Sequence, residues 1–144
     1  MGRDVNIGKP TSYRRLVGVS QIFTTTIDLA QAAAAYALAT ATGQNLLIED
    51  VAILLPNIDV TDDVTITSIA IATDQETPFA FVTAAEGAKA NLAAEAQFQK
   101  TGCGCILKAT EKIQLTIAGG AADEATVCTV VIKCRAVISG GYLA

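Results

Sequence analysis

The sequence predicts an all-β fold, a jelly-roll-like β-sandwich behind an extended N-terminal arm, and three features predict it. Short runs rich in β-branched residues recur from Ile22 onward. Turn-forming residues separate those runs at the spacing typical of sandwiches and barrels. Two long segments near the C-terminus alternate apolar and polar residues with period two.

Residues 1–15 contain Gly2, Gly8 and Pro10 and show neither periodicity, so they read as an arm. Residues 16–144 form the β-sandwich domain. Ile22 to Leu29 is Thr- and Ile-rich, as a half-buried pleated surface requires. Tyr36 to Thr42 and Leu46 to Leu55 flank Gly43-Gln44-Asn45, the pattern of a hairpin. Val64 to Ala72 reads as a strand and Pro78 to Val82 as a short one. The Ala-rich stretch Gln31 to Ala41 fits either a helix or a connection into a strand. Thr83 to Phe98 has a weak 3.6-residue pattern broken by Gly87. At most one or two short helical turns are therefore expected.

Glu111 to Ala118 and Thr126 to Ile138 alternate cleanly, with Gly119-Gly120 through Ala125 between them. Ile113, Leu115 and Ile117 share one apolar face. Cys128, Val130, Ile132, Cys134, Ala136 and Ile138 share another. Read as a hairpin, the two strands place Ile117 opposite Cys128 and Glu111 near Cys134. A one-residue slip would turn Lys112 and Gln114 inward. Lys133 and Arg135 point away from the core.

Composition then bounds function. Hydrophobic residues make up 51% and charged residues 17% of the 144, which excludes general disorder. So little charge implies that part of the outside is covered by partners. The net charge of −4 argues against nucleic acid. Arg3, Lys9, Arg14 and Arg15 are four of the ten basic residues, and none follows until Lys89. A basic arm thus precedes an acidic body. No apolar h-region follows Met1, and Asn6 stands where myristoylation wants Ser or Thr. No apolar run spans a membrane. Synthesis and initial residence in a cytoplasm are expected.

The chemistry is defined by absence. The chain has no His, so Ser-His-Asp and Cys-His arrangements cannot form within it. GxxxxGK[ST], GxGxxG and GxSxG do not occur. Asp59, Asp62 and Asp63 lack the Gly and terminal Glu of an EF-hand loop and read as turn charge, as do Glu49 and Asp50. No enzyme, cofactor or metal is expected. Cys103, Cys105, Cys128 and Cys134 miss the spacings of zinc ribbons. Along one strand Cys128 and Cys134 lie about 20 Å apart and cannot bond to each other. Three roles stay open: packing thiols, disulfides, metal ligands. Flanking Gly102 and Gly104 favour a cross-strand or inter-subunit disulfide at Cys103 or Cys105 in an oxidising setting, with Cys128 and Cys134 buried and reduced.

Three segments, 24–56 (TTTIDLAQAAAAYALATATGQNLLIEDVAILLP), 68–92 (SIAIATDQETPFAFVTAAEGAKANL) and 112–144 (KIQLTIAGGAADEATVCTVVIKCRAVISGGYLA), together resemble the small jelly-roll capsid decoration (cement) proteins of tailed bacteriophages. The resemblance is one of pattern and carries no catalytic motif. It implies a homotrimer on the outside of a virion, assembled in the bacterial cytoplasm, that bridges neighbouring copies of the major capsid protein. Arg3, Lys9, Tyr13, Arg14 and Arg15 are the candidate capsid contacts. The rival function is a receptor- or glycan-binding sandwich of a phage tail or fibre. It would prefer exposed aromatics, but the chain has no Trp and its Tyr residues are scattered. Neither nucleic acid nor membrane is an expected partner.

Overall fold

The computed structural model describes residues 17–144. Ten strands form two five-stranded sheets. The strands are β1 (Ser20–Asp28), β2 (Ala34–Thr42), β3 (Leu46–Leu54), β4 (Ser68–Thr73), β5 (Ala80–Val82), β6 (Gln97–Lys100), β7 (Cys105–Leu107), β8 (Lys112–Ala118), β9 (Val127–Ala136) and β10 (Tyr142–Leu143). The first sheet runs β1-β9-β3-β6, with β7 also on β3. The second runs β10-β2-β8-β4-β5. All the strand pairs are antiparallel. The chain passes between sheets at almost every connection, which makes this the jelly-roll sandwich that the sequence predicts.

Alternation decides the burial. On β8, Ile113, Leu115 and Ile117 are buried; on β9, Cys128, Val130, Ile132, Cys134 and Ala136 are. With Leu46, Ile48, Val51 and Ile53 of β3 and Ile69 and Ile71 of β4 they form one core. Each fully buried Leu or Ile contributes about 1.5–3 kcal/mol.

Both expected hairpins are absent. β8 pairs with β2 and β4, while β9 pairs with β1 and β3. Ile117 lies opposite Ala34 and Ile69, and Cys128 opposite Ile27. Likewise β2 and β3, on either side of Gly43, belong to different sheets. Alternation specifies which face a strand buries. It does not specify whether the other strand's apolar face lies beside it or across the core. Ile138 falls outside β9 and is exposed.

The Ala-rich stretch resolves as β2, held between β8 and β10, with a bulge between Ala37 and Ala39. Pairing on both edges overrides helix propensity there. Among the described residues the helical content is one 3-10 turn, Lys89–Asn91, inside the segment expected to hold a turn or two. Val64 to Thr67 precedes β4 instead of belonging to it. Strands β6, β7 and β10 carry too few residues for their periodicity to show.

Gly119 makes the crossing from β8 possible. Its φ is +85°, and a Cβ there would stand 2.4 Å from the Thr65 carbonyl oxygen. Gly102 also has positive φ, +61°, but faces open space. Gly119→Ala should therefore destabilise by more than about 1 kcal/mol and by more than Gly102→Ala. Leu115→Ala should cost roughly 3 kcal/mol. Urea unfolding of the three variants checks that order.

Candidate interaction surfaces

The described residues hold no group of three or more Cys, Asp or Glu placed to bind a metal. The Asp59 carboxylate accepts the backbone N–H and the hydroxyl of Thr61, which hold its pKa below the ordinary value. Asp63 is buried rather than solvated, and its Oδ2 accepts the Asp123 N–H at 2.9 Å. These carboxylates fasten turns.

The register lays out the outer face of the second sheet. Ala35, Thr116 and Ala70 form one row, and Ala37, Gln114, Ala72 and Ala80 the next. These rows carry no charge before Lys112. On the first sheet the rows are Thr26-Thr129-Leu54-Gln97 and Thr24-Val131-Ala52-Gln99. Charge enters in the Ile22-Lys133-Asp50 and Ser20-Arg135-Leu47-Ile106 rows, and at the other end with Asp28 beside Val127.

That charged end holds Val17 and Gly18, where the described residues begin. Arg135 Nε donates to Glu49 Oε1 at 2.6 Å, and its Nη1 donates to the Gly18 carbonyl at 2.9 Å. The Gly18 N–H donates to the Ala136 carbonyl, and Val17 bridges Ala136. A partly exposed ion pair adds little stability. Its effect here is to fix where the chain enters β1. Val17, Ile22, Ile106, Val137 and Ile138, five of the eight exposed large apolar residues among the described ones, lie at this end. The expected contacts Arg3, Lys9, Tyr13, Arg14 and Arg15 lie outside the described residues.

A cleft opens at the other edge of the sandwich, between β5 and β6. Phe81, Val82, Glu86, Gln97, Phe98 and Gln99 line a cavity of about 230 Å³. The rings of Phe79 and Phe81 stand 5.3 Å apart, and the Lys100 ammonium lies 5.6 Å from the centroid of Phe79. The Glu86 carboxylate accepts the backbone N–H and hydroxyl of Thr83. Those bonds, more than nearby Lys100, hold its pKa below the ordinary value. Sequence reasoning missed this cleft, because β6 is too short to read. The alternating phenylalanines of Pro78-Phe79-Ala80-Phe81 were the available signal.

The cysteines require a correction. All four are free thiols, so the expected disulfide at Cys103 or Cys105 does not form. Cys105 and Cys134 both lie opposite Ile48, one on each side of β3, which separates them by two strand spacings. That is about 9.6 Å, too far for a bond. Cys103 sits on the connection between β6 and β7, its N–H donating to the Glu49 carbonyl and its thiol turned toward the Lys100 carbonyl. Cys105, Cys128 and Cys134 are packing groups in the core.

Burial, with a smaller contribution from Asp28, pushes the Cys128 pKa up to about 12. Burial, with Glu49, does the same for Cys134. Both values exceed the ordinary 9.0, so unfolding favours thiolate formation. Their contribution to stability is complete below pH 9 and declines as pH rises toward 12. Stability measured across that interval should fall, and less steeply in Cys128→Ala. At neutral pH alkylation of the native chain should label Cys103 alone, the other three reacting only after denaturation. Native labelling of Cys134 would contradict this packing.

The sequence matches no protein-family model, and no curated protein is significantly similar to it. Solved structures share its fold. A chain of the cyanophage Pam1 capsid asymmetric unit superposes with a TM-score of 0.60 at 14% identity, over 84% of this chain and 87% of that one. A chain of the acid-stable capsid of Helicobacter pylori bacteriophage KHP30 superposes with a TM-score of 0.54 at 11% identity, over 90% and 95%. The chain has the jelly-roll fold of viral capsid proteins.

Proposed function

We propose that this chain is a virion structural protein that binds the outside of a phage capsid and clamps neighbouring capsid subunits together. The observation that carries the reading is the two-way coverage of its structural neighbours. Each is a chain of similar length from a phage capsid, matched nearly end to end. The likeness therefore extends to the whole of a small capsid component. At such low identity it bears on fold, and the chain's own features supply the rest.

Those features suit a clamp. The outer faces carry Ala and Thr with little charge, so a neighbouring protein can approach without desolvating ions. Identical faces of this kind favour cyclic closure, and a homotrimer is the proposed state. The arm brings Arg3, Lys9, Arg14 and Arg15 to carboxylates of the major capsid protein, with Tyr13 as an apolar anchor. It is rooted at the end where exposed apolar residues gather, which gives the arm and that end one continuous contact. The virion surface is the proposed location, reached after assembly in the host cytoplasm. The glycan-binding reading gains nothing from the structure: among the described residues no aromatic ring is fully exposed.

Deleting residues 2–12 should abolish co-sedimentation with capsids and leave the thermal unfolding midpoint unchanged. Binding that survives the deletion would contradict the role given to the arm. Light scattering at micromolar concentration should return the mass of three chains. A monomer mass would remove the proposed trimer.

A further inference from the structure

A clamp needs two contacts set apart, and the arm supplies only one. The root of the arm lies at the end of the first sheet where Leu46 pairs with Ala136. The cleft lies where Leu54 pairs with Gln97, on the far edge and at the far end of the same sheet. Three strand spacings across and eight residues along place the two roughly 30 Å apart. They occupy diagonal corners.

The cleft is also chemically prepared for one kind of occupant. The Leu55 N–H donates to the Ala96 carbonyl, which makes that pair a hydrogen-bonded one. By alternation, the backbone groups of Gln97 and Gln99 then point away from β3. Both residues line the cavity, and among the described residues no other strand pairs with this edge. Neither glutamine side chain has a hydrogen bond within the described residues. Phe81, Val82 and Phe98 complete the lining of this cavity of about 230 Å³. Glu86, also in the lining, binds Thr83 through Oε2 only.

We propose that the cleft between β5 and β6 receives an extended segment of a shell subunit, added as a strand to the open edge of β6. One large apolar side chain of the segment fills the cavity, and a basic residue two positions away faces Glu86. The open edge supplies main-chain bonds, and the cavity and carboxylate supply selection. The partner rests on the capsid-clamp reading; the capacity of the cleft for such a strand does not. The arm would hold one neighbour and the cleft the next.

The probe is the acetylated octapeptide Thr-Ser-Thr-Phe-Thr-Lys-Thr-Ser, titrated into the full chain and followed by backbone amide NMR. Saturable shifts are expected at Gln97, Gln99 and β5. Replacing the peptide's Phe with Ala should weaken binding roughly tenfold or more. Gln99→Pro removes an outward N–H without touching the β3 ladder and should abolish the shifts. Should that variant unfold, Glu86→Lys serves instead, and should transfer preference to a peptide with Glu in place of Lys. No saturable shift at millimolar peptide, or shifts confined to other strands, would overturn the proposal. Tighter binding of a peptide of residues 1–16 at the cleft would assign it to this chain's own N-terminal segment and also overturn it.

On capsids, a folded cleft variant should stay attached through the arm but dissociate at least about tenfold faster. Unchanged dissociation, with attachment still dependent on the arm, would overturn the cleft contact and leave the function standing. Failure of the unaltered chain to bind capsids would instead overturn the function.

Discussion

The inward faces of β8 and β9 meet in the core, and the rest of the molecule is arranged around that burial. Each strand is held between two neighbours in its own sheet: β8 between β2 and β4, β9 between β1 and β3. Ile113, Leu115 and Ile117 from one side and Val130, Ile132 and Cys134 from the other are withdrawn from water. Fixing these two strands fixes the registers on both sides of each. The crossing between them then needs a sharp left-handed turn at Gly119 and anchorage at its far end. Asp28 Oδ1 supplies the anchorage, accepting the N–H groups of Ala30 and Thr126 and tying the end of β1 to the start of β9.

A core built in this way leaves the outer faces chemically unconstrained, and they are spent on small uncharged residues. A free monomer gains nothing specific from rows such as Ala37-Gln114-Ala72-Ala80. A protein packed against others gains a surface that desolvates at low cost. The charges are segregated instead. Thirteen of the fourteen acidic residues lie beyond residue 16, and four of the ten basic ones lie before it. Such a division favours attraction between the arm of one molecule and acidic surfaces elsewhere, and self-repulsion among bodies. An arm-mediated attachment should accordingly weaken with salt.

Much of the fold was legible because a period of two survives in long strands. The buried faces of β8 and β9 follow directly from Ile113-x-Leu115-x-Ile117 and Cys128-x-Val130-x-Ile132. Neighbour relations did not follow, since two inward-facing strands produce one pattern whether they are paired or apposed. The Ala-rich segment was ambiguous because alanine suits any environment, and only pairing with β8 and β10 decides it. The run of basic charge before residue 16 was visible in the sequence but lies outside the described residues, whereas the cleft was not visible. It is assembled from Phe81 and Phe98, which lie on different sheets. The disulfide expectation failed on distance, a quantity that glycine neighbours do not report. Cys105 and Cys134 share a face but stand on opposite sides of Ile48.

The central claim is that this sandwich sits on the outside of a capsid and joins adjacent subunits. Electron cryomicroscopy of the particle whose genome carries this gene tests it most directly. The account predicts density for the ten-strand sandwich on the outer surface, with the basic segment running onto one capsid subunit and β6 facing another. Particles whose exterior lacks this density, or that place the sandwich within the shell or on the tail alone, would contradict it.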